Sequence, residues 1–194
     1  MSRSRKSWIL SLLITLAIEP ACASPVQLLD SQGRSMIGAT DVYTLVNLHP
    51  DNERSRLYAV NFQQRGLIPV CSQLELIDCT SDQLRFRVLK TNRQYDYINH
   101  KAAAEPFGDH LRRLYGHDCP AAEIQNLVEI DQQGIRRGKA AVGMTKRGVI
   151  LALGPPPRHV TPDRDASEWM YWKNRFNRII VVFDDQDRVV EIRD

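Results

Sequence analysis

The sequence predicts an α+β fold: a small antiparallel β-barrel-like half, followed by helices packed on a three-stranded antiparallel sheet. Three observations predict it. Between Asp41 and His100, short runs alternate apolar and polar residues at the period of a strand. Between Pro106 and Leu153 the apolar spacing shifts to the three-and-four of a helix. After Glu168 the strand period returns in runs joined by turn residues. The 194-residue chain is 43% hydrophobic and 25% charged, the composition of an ordinary globular protein.

Met1 to Ala23 reads as a secretory leader. Arg3, Arg5 and Lys6 form a basic start, and an apolar run of 11 residues extends from Trp8 to Ile18. Such a run reaches roughly 16 Å as a helix, about half the hydrocarbon thickness of a bilayer. Ala21-Cys22-Ala23 supplies small residues for cleavage before Ser24. The alternative is lipidation of Cys22 and an outer-membrane lipoprotein. Ala21 suits it, but Glu19 stands where such signals carry an aliphatic residue. The expected product is exported to the periplasm, with peripheral association with the outer membrane as a further expectation. Without the leader, 23 basic and 22 acidic side chains remain. A net charge so near zero argues against a nucleic-acid binder held by counterion release.

Ser24 to Ile37 is polar and reads as a lead-in. The β-barrel-like domain is expected over 38–100. Its strands are Val42–Val46, Leu57–Phe62, Leu74–Ile77, Leu84–Leu89 and Gln94–Ile98. In the fourth of these, Leu84, Phe86 and Val88 point one way, Arg85 and Arg87 the other. A helical connector is expected over 101–135. Pro106 to Tyr115 forms one short helix, with Phe107, Leu111 and Leu114 on a stripe and Gly116 ending it. Pro120 opens another, whose apolar face is Ile124, Leu127 and Val128. Gly134 and Gly138 punctuate the stretch beyond that face.

The last domain is expected over 136–194. Thr145 can cap a helix by accepting a backbone N–H bond. Val149, Ala152 and Leu153 form that helix's buried stripe. Gly154 ends it in a left-handed conformation, and Pro155 prevents continuation. Glu168–Trp172, Arg178–Phe183 and Arg188–Ile192 then form three strands.

Cys71, Cys79 and Cys119 survive removal of the leader. In an oxidising compartment a disulfide is plausible. Cys71 and Cys79 lie at the two ends of one expected strand, roughly 26 Å apart and beyond bonding reach. Cys119 is therefore one partner. The sequence does not choose the other; the reading leans to Cys79, which ends a strand beside a turn.

Two stretches of the chain carry resemblances. Leu67-Ile68-Pro69-Val70, leading into an alternating strand, resembles the turn entering the sheet of bacterial SH3-like domains. Those domains often have Gly where this chain has Cys71, and Ser or Thr where it has Ser72. The last 55 or so residues resemble the BamE-like (SmpA/OmlA) outer-membrane assembly lipoprotein family. The features occur in order: Gly143-Met144-Thr145 opening a helix, Val149 to Leu153 running into Gly154-Pro155, and Trp169-x-Tyr171 on a strand. Phe183-Asp184 at a strand end and Val189-x-x-Ile192 on the last strand complete the set. That resemblance implies two helices on one face of a three-stranded meander, and a periplasmic scaffold that performs no chemistry. The chain departs from the family in its poor lipid signal, its additional β-rich half and its aromatic, basic hairpin.

That hairpin is the candidate binding surface: Trp169, Tyr171, Trp172, Lys173 and Arg175. On a strand, Trp169 shares one face with Tyr171, and Met170 shares the other with Trp172. One pair fills the helix–sheet core. The other faces outward or is covered by the first domain. With Lys173 and Arg175 beside it, that surface suits a peptide, a protein edge, lipid headgroups or glycan.

Chemistry is not expected. His117-Asp118-Cys119 contains nucleophile, base and acid, but adjacent side chains diverge and do not make a triad. His110 and His117 form no HxxxH pair and no CxxC pair occurs, so no metal site is expected. Gly134, Gly138 and Gly143 are too widely spaced for a phosphate loop. The sequence therefore predicts a non-enzymatic, cofactor-free envelope protein that binds or scaffolds other envelope proteins, linked to outer-membrane assembly or maintenance. The alternative is a peptidoglycan-binding module acting through the SH3-like half.

Overall fold

The computed structural model describes residues 25–194. The expected leader and Cys22 lie outside the described residues. The architecture is mixed α+β: a curled six-stranded sheet, a separate three-stranded antiparallel sheet and, among the described residues, four helices.

The first sheet comprises β1 (Val42–Thr44), β2 (Arg56–Tyr58), β3 (Gln73–Cys79), β4 (Gln83–Val88), β5 (Arg93–Ile98) and β6 (Tyr115–Gly116), in the order β2-β5-β4-β3-β1-β6. Its centre obeys the alternation in the sequence. Leu74, Leu76, Leu84, Phe86, Val88, Tyr95 and Tyr97 all point into one core. Phe86 sits opposite Tyr95, and their rings stack with centroids 5.6 Å apart. Arg87 faces out and pairs with Glu75 at 2.8 Å. A bulge between Leu76 and Asp78 adds to the curl.

Three features depart from the expected all-antiparallel barrel. The strand pair β2–β5 is parallel, because β2 is reached by the long loop after β1 and not by a hairpin. The helix expected from Pro106 to Tyr115 stops early: α1 is Phe107–Arg112. Tyr115 then enters β6, opposite Thr44, and fills the core at 1% exposure. The lead-in also belongs to this core, for Leu28 and Met36 are fully buried in it.

The second half contains α2 (Ala121–Asn126), α3 (Glu129–Arg137), α4 (Lys146–Leu153), β7 (Glu168–Trp172), β8 (Arg178–Phe183) and β9 (Val189–Arg193). The expected face of Ile124, Leu127 and Val128 does not continue in one helix. Leu127 and Val128 are extended, and Val128 starts α3. Gly138 ends α3 with φ of 63°. The three strands form the antiparallel order β7-β8-β9. Trp169, Tyr171, Val181, Phe183 and Val189 meet Ile135 of α3 and Val149, Ala152 and Leu153 of α4 in a second core.

The start of α4 is held by side chains. Thr145 accepts a bond from Gly148 N–H at 3.0 Å, as a helix cap does. Its own N–H and hydroxyl both donate to the buried Asp131 carboxylate at 2.8 Å. Glycines permit this close crossing. A Cβ on Gly148 would lie 2.1 Å from Asp131 Oδ1, and one on Gly134 would lie 2.3 Å from Met144 Sδ. Gly154 ends α4 with φ of 78°, as expected in sign, but ψ of 173° makes it extended and not left-handed helical.

The favoured Cys79–Cys119 bond is not the one formed. Cys71 bonds Cys119, with Cα atoms 5.1 Å apart, and Cys79 is free and buried. Cys119 is a partner, as expected, and β1 explains which cysteine it finds. Cys71 N–H donates to Thr44 O at 2.8 Å, and Thr44 sits opposite Tyr115. The turn before β3 is thereby set beside the segment leading to Cys119. Cys79 closes the far end of β3 and lies in the first core. Burial pushes its thiol up to about 11, with Asp78 adding to the shift.

Candidate functional site

The two halves meet around the C-terminal end of α4. The last turn of a helix leaves carbonyls with no partner inside the helix. Here side chains of the first half supply the donors. Asn47 Nδ2 donates to Ile135 O at 2.7 Å and to Ala152 O at 3.3 Å. Its backbone N–H donates to Leu151 O at 2.9 Å, and its Oδ1 accepts from Val70 N–H at 2.8 Å. Asn61 Nδ2 donates to Leu153 O and Pro155 O, both at 2.9 Å. Gln63 Nε2 donates to Leu153 O at 2.9 Å. His49 is 2.9 Å from Ala152 O through Nε2. A carbonyl only accepts, so Nε2 carries the proton. Burial lowers the pKa of His49, partly offset by that hydrogen bond, and keeps the ring neutral at neutral pH.

Beside this junction opens a cleft of about 660 Å³, lined by both halves. Leu67, Ala140, Leu153, Ile179 and Ile192 give it apolar surface, and His49 and Gln63 lie at the junction side. Its charge is one-sided. Arg65, Arg137, Lys139 and Lys173 line it against a single acid, Asp194. Lys173 Nζ is 2.8 Å from Asp194 Oδ2; the other three cations have no carboxylate partner among the described residues. Gly138 sets two of them in place. Its backbone passes so close to the first half that a Cβ would lie 2.7 Å from Leu67 Cδ1. That approach carries Arg137 and Lys139 to the edge of the cleft. Gln63 Oε1 is buried there without a hydrogen-bond partner.

The five hairpin residues expected to form one surface separate four ways. Trp169 and Tyr171 are 1% and 0% exposed and belong to the second core, so they offer no surface. Burial pushes the Tyr171 hydroxyl well up, and it donates to Gly154 O at 3.1 Å. Trp172 is half-buried against the first half: its backbone bridges Phe62 and its carbonyl accepts from Gln63 N–H at 2.7 Å. Its indole donates to His159 Nε2 at 3.1 Å. Lys173 reaches the cleft. Arg175 does not line it and lies over the ring of Phe176, 4.5 Å from the centroid.

The residues weighed for chemistry are also dispersed. Cys119 is bonded to Cys71. The His117 side chain is 5% exposed, with Nδ1 3.1 Å from Asp41 Oδ1. His110 is 3% exposed inside a polar chain. Its Nδ1 donates to Glu105 Oε1 at 2.9 Å, which leaves Nε2 to accept from the Tyr97 hydroxyl at 2.7 Å. Arg113 also donates to Glu105 Oε1. Burial pushes Glu105 upward, but the bonds from His110 and Arg113 outweigh it and hold the carboxyl at about 2. Among the described residues no group of three or more His, Cys, Asp or Glu is placed to hold a metal ion.

Sequence reasoning named Lys173 and missed His49, Gln63, Arg65, Arg137, Lys139 and Ile192. One signal was present: Arg136-Arg137-Gly138-Lys139 is a basic run around a helix-ending glycine. The rest come together only through the packing of the halves. No family model, curated protein or solved structure matches this chain.

Proposed function

We propose that this protein is a non-enzymatic binding module of the bacterial cell envelope, and that the inter-half cleft holds an extended acidic segment of another envelope protein. The observation that carries this reading is the unbalanced charge of the cleft: three unpaired cations and Lys173 around an apolar floor. An acidic segment with interspersed aliphatic residues complements both features. Ile192 adds a second support. It belongs to β9, the edge strand of its sheet, where an incoming extended segment can add.

The envelope part of the proposal rests on the leader-like start of the sequence. The Cys71–Cys119 bond is compatible with an oxidising compartment. The BamE-like resemblance agrees with helices on a three-stranded antiparallel meander at that coarse level, and membership of that family, like the SH3-like resemblance, is part of the proposal. Among the described residues no helix is long and apolar enough to cross a membrane. The non-enzymatic part rests on the weighed nucleophile: the Cys119 thiol is consumed in a bond. A peptide is favoured over a glycan because the cleft lining includes no Trp, Tyr or Phe on which a sugar ring could stack.

The test is fluorescence anisotropy of a labelled, extended Glu/Ile-alternating peptide with the disulfide-intact chain. Arg137→Glu with Lys139→Glu is expected to weaken binding at least tenfold, and raised salt to weaken the wild type. Equal binding by both proteins rejects the cleft. Sedimentation with purified sacculi, unaffected by the charge reversal, would instead favour the peptidoglycan reading.

A further inference from the structure

We propose a second, separate binding site, for a phosphate-type oxyanion, in a cleft of about 300 Å³ where Arg113, Arg147 and Arg164 converge. It shares no lining residue with the larger cleft. Leu45, Ile150 and Pro155 contribute apolar surface.

The arginines differ in how they are held. Arg147 is fixed by Glu123, with Nε 2.5 Å and Nη2 2.7 Å from the two carboxylate oxygens. That pairing raises its pKa and orients the guanidinium. Arg113 donates to Glu105, yet its Nε is buried without a partner. Arg158 lies 4.0 Å from the same Glu105. Arg164 has no carboxylate partner among the described residues. Burial and then the nearby charges of Arg113 and Arg158 lower its pKa.

Charge balance gives the ligand its sign and size. Asp118 also lines the cleft, and its partner Arg34, at 3.2 Å, is already paired with Asp30 at 2.7 Å, so Arg34, Arg113, Arg147, Arg158 and Arg164 face Asp30, Glu105, Asp118 and Glu123. One guanidinium charge is left over, and Arg164 is repelled by Arg113 and Arg158. A compact oxyanion relieves both costs. Guanidinium forks match phosphate oxygens. The cleft is too small for a folded partner and ample for a phosphate group, whether free or at the end of a lipid headgroup.

The experiment uses the full disulfide-intact chain. Sodium phosphate is titrated against sodium chloride at matched ionic strength, with thermal unfolding and calorimetry as readouts. The expected result is a saturable rise in Tm with phosphate alone. Arg164→Gln, a solvent-reaching side chain, is expected to weaken phosphate affinity at least tenfold. Arg147→Gln is expected to weaken it as well. Arg137→Gln in the larger cleft and Arg54→Gln on a remote loop are expected to leave it unchanged. A missing phosphate effect overturns the proposal, as does an effect retained in Arg164→Gln or lost in Arg137→Gln. Vesicles of phosphatidic acid in phosphatidylcholine separate the two sources. Co-sedimentation abolished by Arg164→Gln and by free phosphate assigns a lipid headgroup; phosphate binding without co-sedimentation assigns a free anion.

Discussion

Asn47 shows how much one residue can carry. It is 1% exposed and uses its backbone N–H, its Nδ2 and its Oδ1 to join the turn before β3 to the ends of α3 and α4. Truncation leaves Val70 N–H without a partner and Ile135 O with only the Gly138 N–H at 3.1 Å, in a site closed to water. Asn47→Ala is therefore expected to cost about 3 kcal/mol, read as a lower urea midpoint with unchanged slope. Asn47→Asp is expected to be no better, since a carboxylate cannot donate to Ile135 O. The residue gave little warning in the sequence. An asparagine after a strand reads as turn chemistry, and nothing local says that its acceptors lie 88 residues away. Trp169 and Tyr171 were the converse. Their alternation was legible, and so was the certainty that one face of the strand enters the core; which face required the helices.

At the scale of elements, α4 was the most legible and α3 the least. Thr145, the aliphatic stripe and Gly154 mark both ends of α4 in eight residues of helix. Nothing comparable announces α3. Its start at Val128 has no side-chain cap, and Gly134 sits in its interior. A glycine inside a helix ordinarily counts against one. Here it is required, because Met144 occupies the space of a side chain. The same logic holds at Gly148, and it yields a sign that propensity alone would reverse. Alanine is the better helix former by about 1 kcal/mol. Yet a Cβ at Gly148 meets Asp131 Oδ1 at 2.1 Å and would displace the carboxylate that holds Thr145. Gly148→Ala is thus expected to destabilise by roughly 2 kcal/mol, measured by thermal or urea unfolding. The parallel β2–β5 pair was illegible for a different reason: strand periodicity says which face is buried and nothing about direction.

For the molecule as a whole, two terms set stability. The Cys71–Cys119 bond closes a loop of sequence separation 48. In the chain-entropy account, such a loop restricts the unfolded chain by roughly 4 kcal/mol. Replacing both cysteines by serine, or adding reductant, is expected to destabilise the fold by a comparable amount, read as a lower Tm. Reductant should leave the double variant unmoved, and native Cys79 should stay slow toward thiol reagents. The second term is acidity. His49 and His110 have pKa values lowered by burial, each partly offset by its hydrogen bond. As pH falls below 6.5, the unfolded chain takes up protons that these folded rings refuse, and stability declines. Glu105 acts lower down. Its contribution is complete above 4.5 and is lost as pH falls toward about 2. A shift of that size is worth up to about 3 kcal/mol. Urea midpoints at stepped pH are expected to drop in two stages, and His49→Gln, which can still donate to Ala152 O, is expected to soften the first.

The backbone bridge between Phe62 and Trp172 has a practical bearing on how the chain can be divided. A fragment cut after His100 would keep the amide of Gln63 and lose the strand it leans on; Asn61, Gln63 and His49 would keep their protons and lose the carbonyls that receive them. Neither piece would inherit a finished surface. The protein is segmented like two modules but sealed like one, and studies of either piece alone would describe a wound where the intact chain has a seam.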